Sequence, residues 1–180
     1  VTSKDNADTG SDVIVKDAAG TVTTVINDGY VGTLATATLG DTIITGGTKI
    51  NASSKVEFTA AQITAAKTIT AANQDTVTQG AVTVNGNAST TEVTVSQTAA
   101  QAAIGTGVNG QIEITAGAVT IKDAKAGTAN ANTISTVILK NAGAATVDSN
   151  ALSTLSLEGT LVSVNTTNTS SATTPAVTTL

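Results

Sequence analysis

Ile134-Ser-Thr-Val137-Ile-Leu139 returns as Leu152-Ser-Thr-Leu155-Ser-Leu157, and Val177-Thr-Thr-Leu180 starts along the same pattern again. Between the first two copies, Ala145-Thr-Val147 offers a further short strand. A wider duplication pairs Gly80-Ala-Val-Thr-Val84 and Thr91-Glu-Val-Thr-Val95 with Gly117-Ala-Val-Thr-Ile121 and Ser135-Thr-Val-Ile-Leu139. Recurring strand text with variable spacing is the mark of stacked supersecondary units whose insertions fall in loops. The sequence is therefore read as all-β and elongated, with short strands forming a parallel β-solenoid in the C-terminal half. An immunoglobulin-like β-sandwich accommodates the same strands and stands as the alternative.

Working outward, β-branched alternation marks further strands at Val13-Ile-Val15, Val22–Ile26, Thr42-Ile-Ile44, Val56-Glu-Phe58, Val82-Thr-Val84 and Val93-Thr-Val95. The series continues at Ile112-Glu-Ile114, Val119-Thr-Ile121, Thr136–Leu139, Leu155-Ser-Leu157 and Leu161–Val164. Period-two alternation puts Val, Ile and Leu on one face and Thr, Ser or Glu on the other, so each strand buries a single face. Asp28-Gly29, Gly46-Gly47, Asn85-Gly86 and Asn109-Gly110 accept positive φ and are expected at hairpins or tight corners. The Ala-rich stretch 59–73 allows a short helix, and Gln97–Ile104 is a second candidate, although Thr and Ile weaken both. Two regions are expected: an N-terminal β-rich domain over 1–80 and a repeat-containing β domain over 81–180, together a fragment of a larger protein.

Composition narrows the function. The 180 residues contain no His, Cys, Met or Trp, one Tyr, one Phe and one Pro. Zinc or copper sites of the usual kind, thiol nucleophiles, iron–sulfur ligation and His-based triads lack their residues. No carboxylate pair is placed in a way that demands acid–base roles, so no enzyme activity is expected. A net charge of −5, with few aromatics, argues against nucleic acid as a partner. No apolar run approaches the roughly 20 residues needed to cross a bilayer, so no membrane insertion is expected. Gly105-Thr-Gly-Val-Asn-Gly110 spells a dinucleotide motif in letters only, because a strand rather than a helix follows it.

The stretch Gly117–Leu180, with AVTIKDA, TISTVILKNAGAATVDSNALSTLSLEGT and TTPAVTTL, together with TTEVTVSQTAA at 90–100, resembles Thr- and Ala-rich bacterial surface-layer proteins. These are exported by type I secretion and carry RTX calcium repeats. The resemblance implies an extracellular building block of a crystalline coat on the bacterial cell surface, often calcium dependent. Its partners would be copies of itself or neighbouring domains of the same protein, with any glycan or lipopolysaccharide anchor elsewhere in the parent chain. A stalk or binding module of a repetitive secreted adhesin is the alternative.

Calcium can be traced residue by residue. The RTX nonapeptide GGxGxDxUx aligns with Ala7–Val15 through Gly10, Asp12 and Ile14, with Ala7 and Asp8 in place of the first two glycines. Asp5, Asn6, Asp8 and Asp12 are thus the candidate calcium ligands, and a solvated acidic linker is the competing reading. Asp123 and Asp148 fall at strand exits, where Asp caps its own backbone. Lys122 and Lys140 are placed to pair with nearby glutamates across the solvated face.

Overall fold

The computed structural model describes residues 1–5, 12–30, 37–57, 76–99, 113–159 and 161–167. They form fifteen strands and, among the described residues, no helix. The chain winds through β1 (Thr2–Asp5), β2 (Val13–Ala18), β3 (Val22–Tyr30), β4 (Ala37–Thr38) and β5 (Thr42–Gly46). It continues through β6 (Lys49–Glu57), β7 (Thr76–Thr78), β8 (Val82–Asn85), β9 (Glu92–Ala99) and β10 (Glu113–Thr115). The last five strands are β11 (Val119–Lys122), β12 (Thr136–Lys140), β13 (Ala144–Asp148), β14 (Thr154–Glu158) and β15 (Ser163–Thr167).

These strands stack as six rungs of a parallel solenoid. Sheet A runs β1-β3-β6-β9-β12-β14 and sheet C runs β2-β5-β8-β11-β13-β15, so each rung gives one strand to each sheet. Rungs 2, 3 and 4 add a strand to a short sheet B, ordered β4-β7-β10. All described strand pairs are parallel, which the antiparallel sheets of an immunoglobulin-like sandwich are not. The solenoid is also wider than the sequence text suggests. It includes the N-terminal rungs, and position 80 lies between β7 and β8 with both six-stranded sheets passing across it.

Each sheet buries two aliphatic columns. In sheet A, Ile50, Val93, Val137 and Leu155 stack in one and Val25, Ala52, Val95 and Leu139 in the other. Opposite them in sheet C stand Val82, Val119 and Ala145 beside Ile44, Val84, Ile121 and Val147. Burial of each such side chain contributes roughly 1.5–3 kcal/mol, so repetition along the axis replaces the large aromatics that this chain lacks. Leu39, Val56 and Val77 are buried apart from that cluster, in the rungs that carry sheet B. On the solvated face of sheet A, Lys49 pairs with Glu92 at 3.0 Å and Lys140 with Glu158 at 2.9 Å, each across directly opposed positions.

Several sequence expectations change. Asp28-Gly29 is no turn: both residues belong to β3, paired with Lys55 and Val56 of β6, because sheet A extends past sheet C on this flank. Gly46 and Gly47 do form a corner, with φ of 84° and 94°. Gln97–Ala99 close strand β9 rather than opening a helix, since the ladder with Ser54–Val56 holds them extended. Leu161 and Val162 precede β15 rather than lying in it. The rest of that second helix candidate lies outside the described residues. So do the helix expected over 59–73, Phe58, Asn109-Gly110, the 105–110 glycine motif, Ile112 and Val177–Leu180.

Candidate functional site

The acidic N-terminal residues are the first candidates. Asp5 is the last residue of β1, with its backbone opposite Gly29, while Asn6 and Asp8 lie outside the described residues. Asp12 stands immediately before β2, and its Oδ1 accepts a hydrogen bond from the Asp41 N–H at 2.8 Å. Asp41 repeats the arrangement one rung on: its Oδ1 accepts from the Ala81 N–H at 2.7 Å. Each carboxylate thus caps the entry of the next rung into sheet C, the role that a short acidic side chain fills at a turn.

Past these caps, the outer face of sheet C carries columns of stacked residues. Its first column runs Asp12, Asp41, Ala81, Ala118, Ala144, Ser163, and its second Ile14, Ile43, Thr83, Thr120, Thr146, Asn165. Rungs 3 to 5 therefore show only Ala and Thr in these columns. Both residue types are small, so these two columns carry no long side chain across the three rungs.

Behind sheet C the rungs meet at a corner of stacked glycines. A Cβ on Gly80 would sit 1.9 Å from Gly40 O, one on Gly117 2.1 Å from Gly80 O, and one on Gly143 2.4 Å from Gly117 O. Facing this corner is a buried polar column at the end of sheet A, formed by Asn27, Ser54 and Gln97 in register. Asn27 Nδ2 donates to Gly40 O at 3.1 Å, in reach also of Asp41 O and Thr42 Oγ1. Gln97, in rung 4, reaches both neighbours: Nε2 donates to Gly80 O of rung 3 and Oε1 accepts from Gly143 N–H of rung 5, each at 3.2 Å. The corner needs these amides, because close-packed backbone there is buried and its polar groups must find partners. Replacing Gln97 with Leu keeps the volume but orphans a buried carbonyl and a buried N–H. Urea denaturation should show a loss of about 2–4 kcal/mol.

Asp123 is a buried carboxylate that accepts three backbone hydrogen bonds. It is 2% exposed. Its Oδ1 accepts from Lys125 N–H at 2.9 Å, the self-capping expected at a strand exit. Its Oδ2 accepts from Thr133 and Ile134 N–H, both at 2.8 Å, which the sequence did not reveal because those donors lie across a long loop. Asp148 closes β13, and its carbonyl accepts from Asp123 N–H at 3.0 Å. The role of Asp123 is to tie the loop back to the core. Neither the amide column nor this three-donor grip has a local sequence signal. The glycine corner had one, in the shared Gly-Ala-Val-Thr text at 80–83 and 117–120.

Among the described residues, no three of His, Cys, Asp and Glu gather in a group able to hold a metal. No helix among them is long and apolar enough to cross a membrane. Comparison with protein-family models, with curated proteins and with solved structures returned no match in any of the three.

Proposed function

We propose that this chain is a structural building block of a bacterial surface layer, which assembles with copies of itself and with neighbouring domains into an extracellular lattice, with calcium at its junctions. The observation that carries the reading is the outer face of sheet C, where Ala81, Ala118 and Ala144 stack beside Thr83, Thr120 and Thr146. A lattice needs stiff units with broad, self-compatible faces. In a solenoid the backbone ladder supplies stiffness and the repeated column supplies the face. The Thr- and Ala-rich text shared with surface-layer proteins points the same way. Calcium at Asp5, Asn6, Asp8 and Asp12 would stiffen rung 1 between β1 and β2, each ligand contributing oxygen as this cation prefers.

Electron microscopy of the parent protein supplies the test. Ordered arrays should form with calcium and dissolve on adding a chelator. A protein that stays monomeric at every calcium concentration, yet adheres to host glycans or matrix, would overturn the lattice reading in favour of an adhesin stalk.

A further inference from the structure

The buried column at the end of sheet A changes its chemistry midway: Asn27 and Gln97 carry amides, and Ser54 between them carries a hydroxyl. Ser54 is 6% exposed, and its Oγ has no hydrogen-bond partner in the protein. Gln79, itself buried, donates from Nε2 to Ser54 O at 3.5 Å and so serves the backbone there, not the hydroxyl. Buried polar side-chain atoms as a rule find a partner, either in the protein or in ordered water.

The stacking of the rungs says where that partner stands. Gly40, Gly80, Gly117 and Gly143 hold equivalent places in successive rungs, each shortly before the registered Thr42, Val82, Val119 and Ala145. The Gln97 amide lies between two of them, donating to Gly80 O of rung 3 and accepting from Gly143 N–H of rung 5. Moved one rung back, the same two groups are Gly40 O and the buried Gly117 N–H, and the side chain level with them is Ser54. Serine ends at Oγ and carries nothing to the place that the Gln97 amide fills. Gly40 O accepts from Asn27 Nδ2 at 3.1 Å and, as a carbonyl, has a second lone pair to offer. A hydroxyl, an N–H donor and a carbonyl acceptor therefore face one point. An ion is a poor match, since the N–H opposes a cation and the carbonyl opposes an anion. Water answers all three, and buried waters make about three hydrogen bonds each.

We propose that an ordered water molecule completes rung 3 of the core. It accepts from Gly117 N–H, donates to Gly40 O and shares a hydrogen bond with Ser54 Oγ, in the place that the Gln97 amide takes one rung on. The polar column thus runs amide, hydroxyl with water, amide. The site is interior and holds its water whether or not the protein assembles.

Two measurements on the whole chain test this. In the 15N-labelled protein, a water-selective NOE spectrum should give a cross-peak from long-lived water at the Gly117 amide. The peak should persist in Ser54→Ala, where the water keeps its bonds to Gly117 and Gly40 and no hydroxyl proton is left to imitate it. Absence of the peak from the folded protein, or its loss in Ser54→Ala, would overturn the proposal. The melt of Ser54→Ala supplies a sign. With water bound, the variant loses a hydrogen bond and Tm should fall by about 2–4 °C. A hydroxyl that lacked even a water partner would be relieved by the change, so an unchanged or raised Tm counts against the water.

Discussion

Gly117→Ala is expected to destabilise the protein by more than about 3 kcal/mol, although it adds a single methyl group. The new Cβ would stand 2.1 Å from Gly80 O and 2.5 Å from Gln79 O, both backbone atoms of the neighbouring rung. No rotamer change can relieve that contact. The rungs must part at the corner, and their separation weakens the bonds on either side. Tm should fall by about 6–12 °C for a domain of this size. Gly20→Ala is the control: its Cβ meets nothing nearer than Val22 O at 3.4 Å, and the melt should stay within about 2 °C. Similar melts for the two variants would mean that the corner is looser than its geometry indicates.

Asp123→Ala should cost a comparable amount, about 3–5 kcal/mol in urea denaturation. It strips the acceptor from the backbone N–H groups of Lys125, Thr133 and Ile134, and the last of these leads into the core, where the Ile134 side chain is fully buried. Bonds to an ionised acceptor contribute about 1.5–3 kcal/mol each, with incomplete additivity. Asp123→Asn discriminates between charge and shape. Its amide nitrogen would face backbone donors that need an acceptor, so the loss should come within about 1 kcal/mol of that for Ala. Hydrogen exchange should place the damage in rung 5, with the Val137 and Leu139 amides losing protection first. A near-neutral Asn variant would reassign the loop's order to packing.

The legibility of this fold in its sequence follows from where its interactions are local. Repeated text marked true neighbours: Gly80–Val84 and Gly117–Ile121 stack residue on residue in sheet C, as do Val137-Ile-Leu139 and Leu155-Ser-Leu157 in sheet A. Rung 3 was harder to read. Lys49–Ser54, with Asn, Ala and Ser, has the composition of a loop but forms most of β6, because β3 and β9 pair with it on both sides and Ile50 and Ala52 turn into the core. Asp28-Gly29 carries hairpin chemistry, yet the long ladder with β6 overrides it. At the candidate site, Asp12 could be named from its motif, whereas its bond to Asp41 depends on a stacking that no local window contains. The amides of Asn27 and Gln97 look like surface residues in the text. Only the meeting of sheet end and glycine corner makes them interior.

That meeting has a consequence for how the chain finds one alignment among several. Aliphatic columns repeat every second residue, so sliding a strand by two positions would leave Val over Val or Leu nearly unchanged in energy. The Asn27–Ser54–Gln97 column removes this degeneracy. A two-residue slip of β9 against β12 would put Gln97 level with Leu139 and bury an amide in hydrocarbon, at a cost of about 1–3 kcal/mol or more. The amides thus act as a key cut into an otherwise periodic rail. A solenoid with a smooth interior could settle in several frames, and this one is notched to accept a single frame.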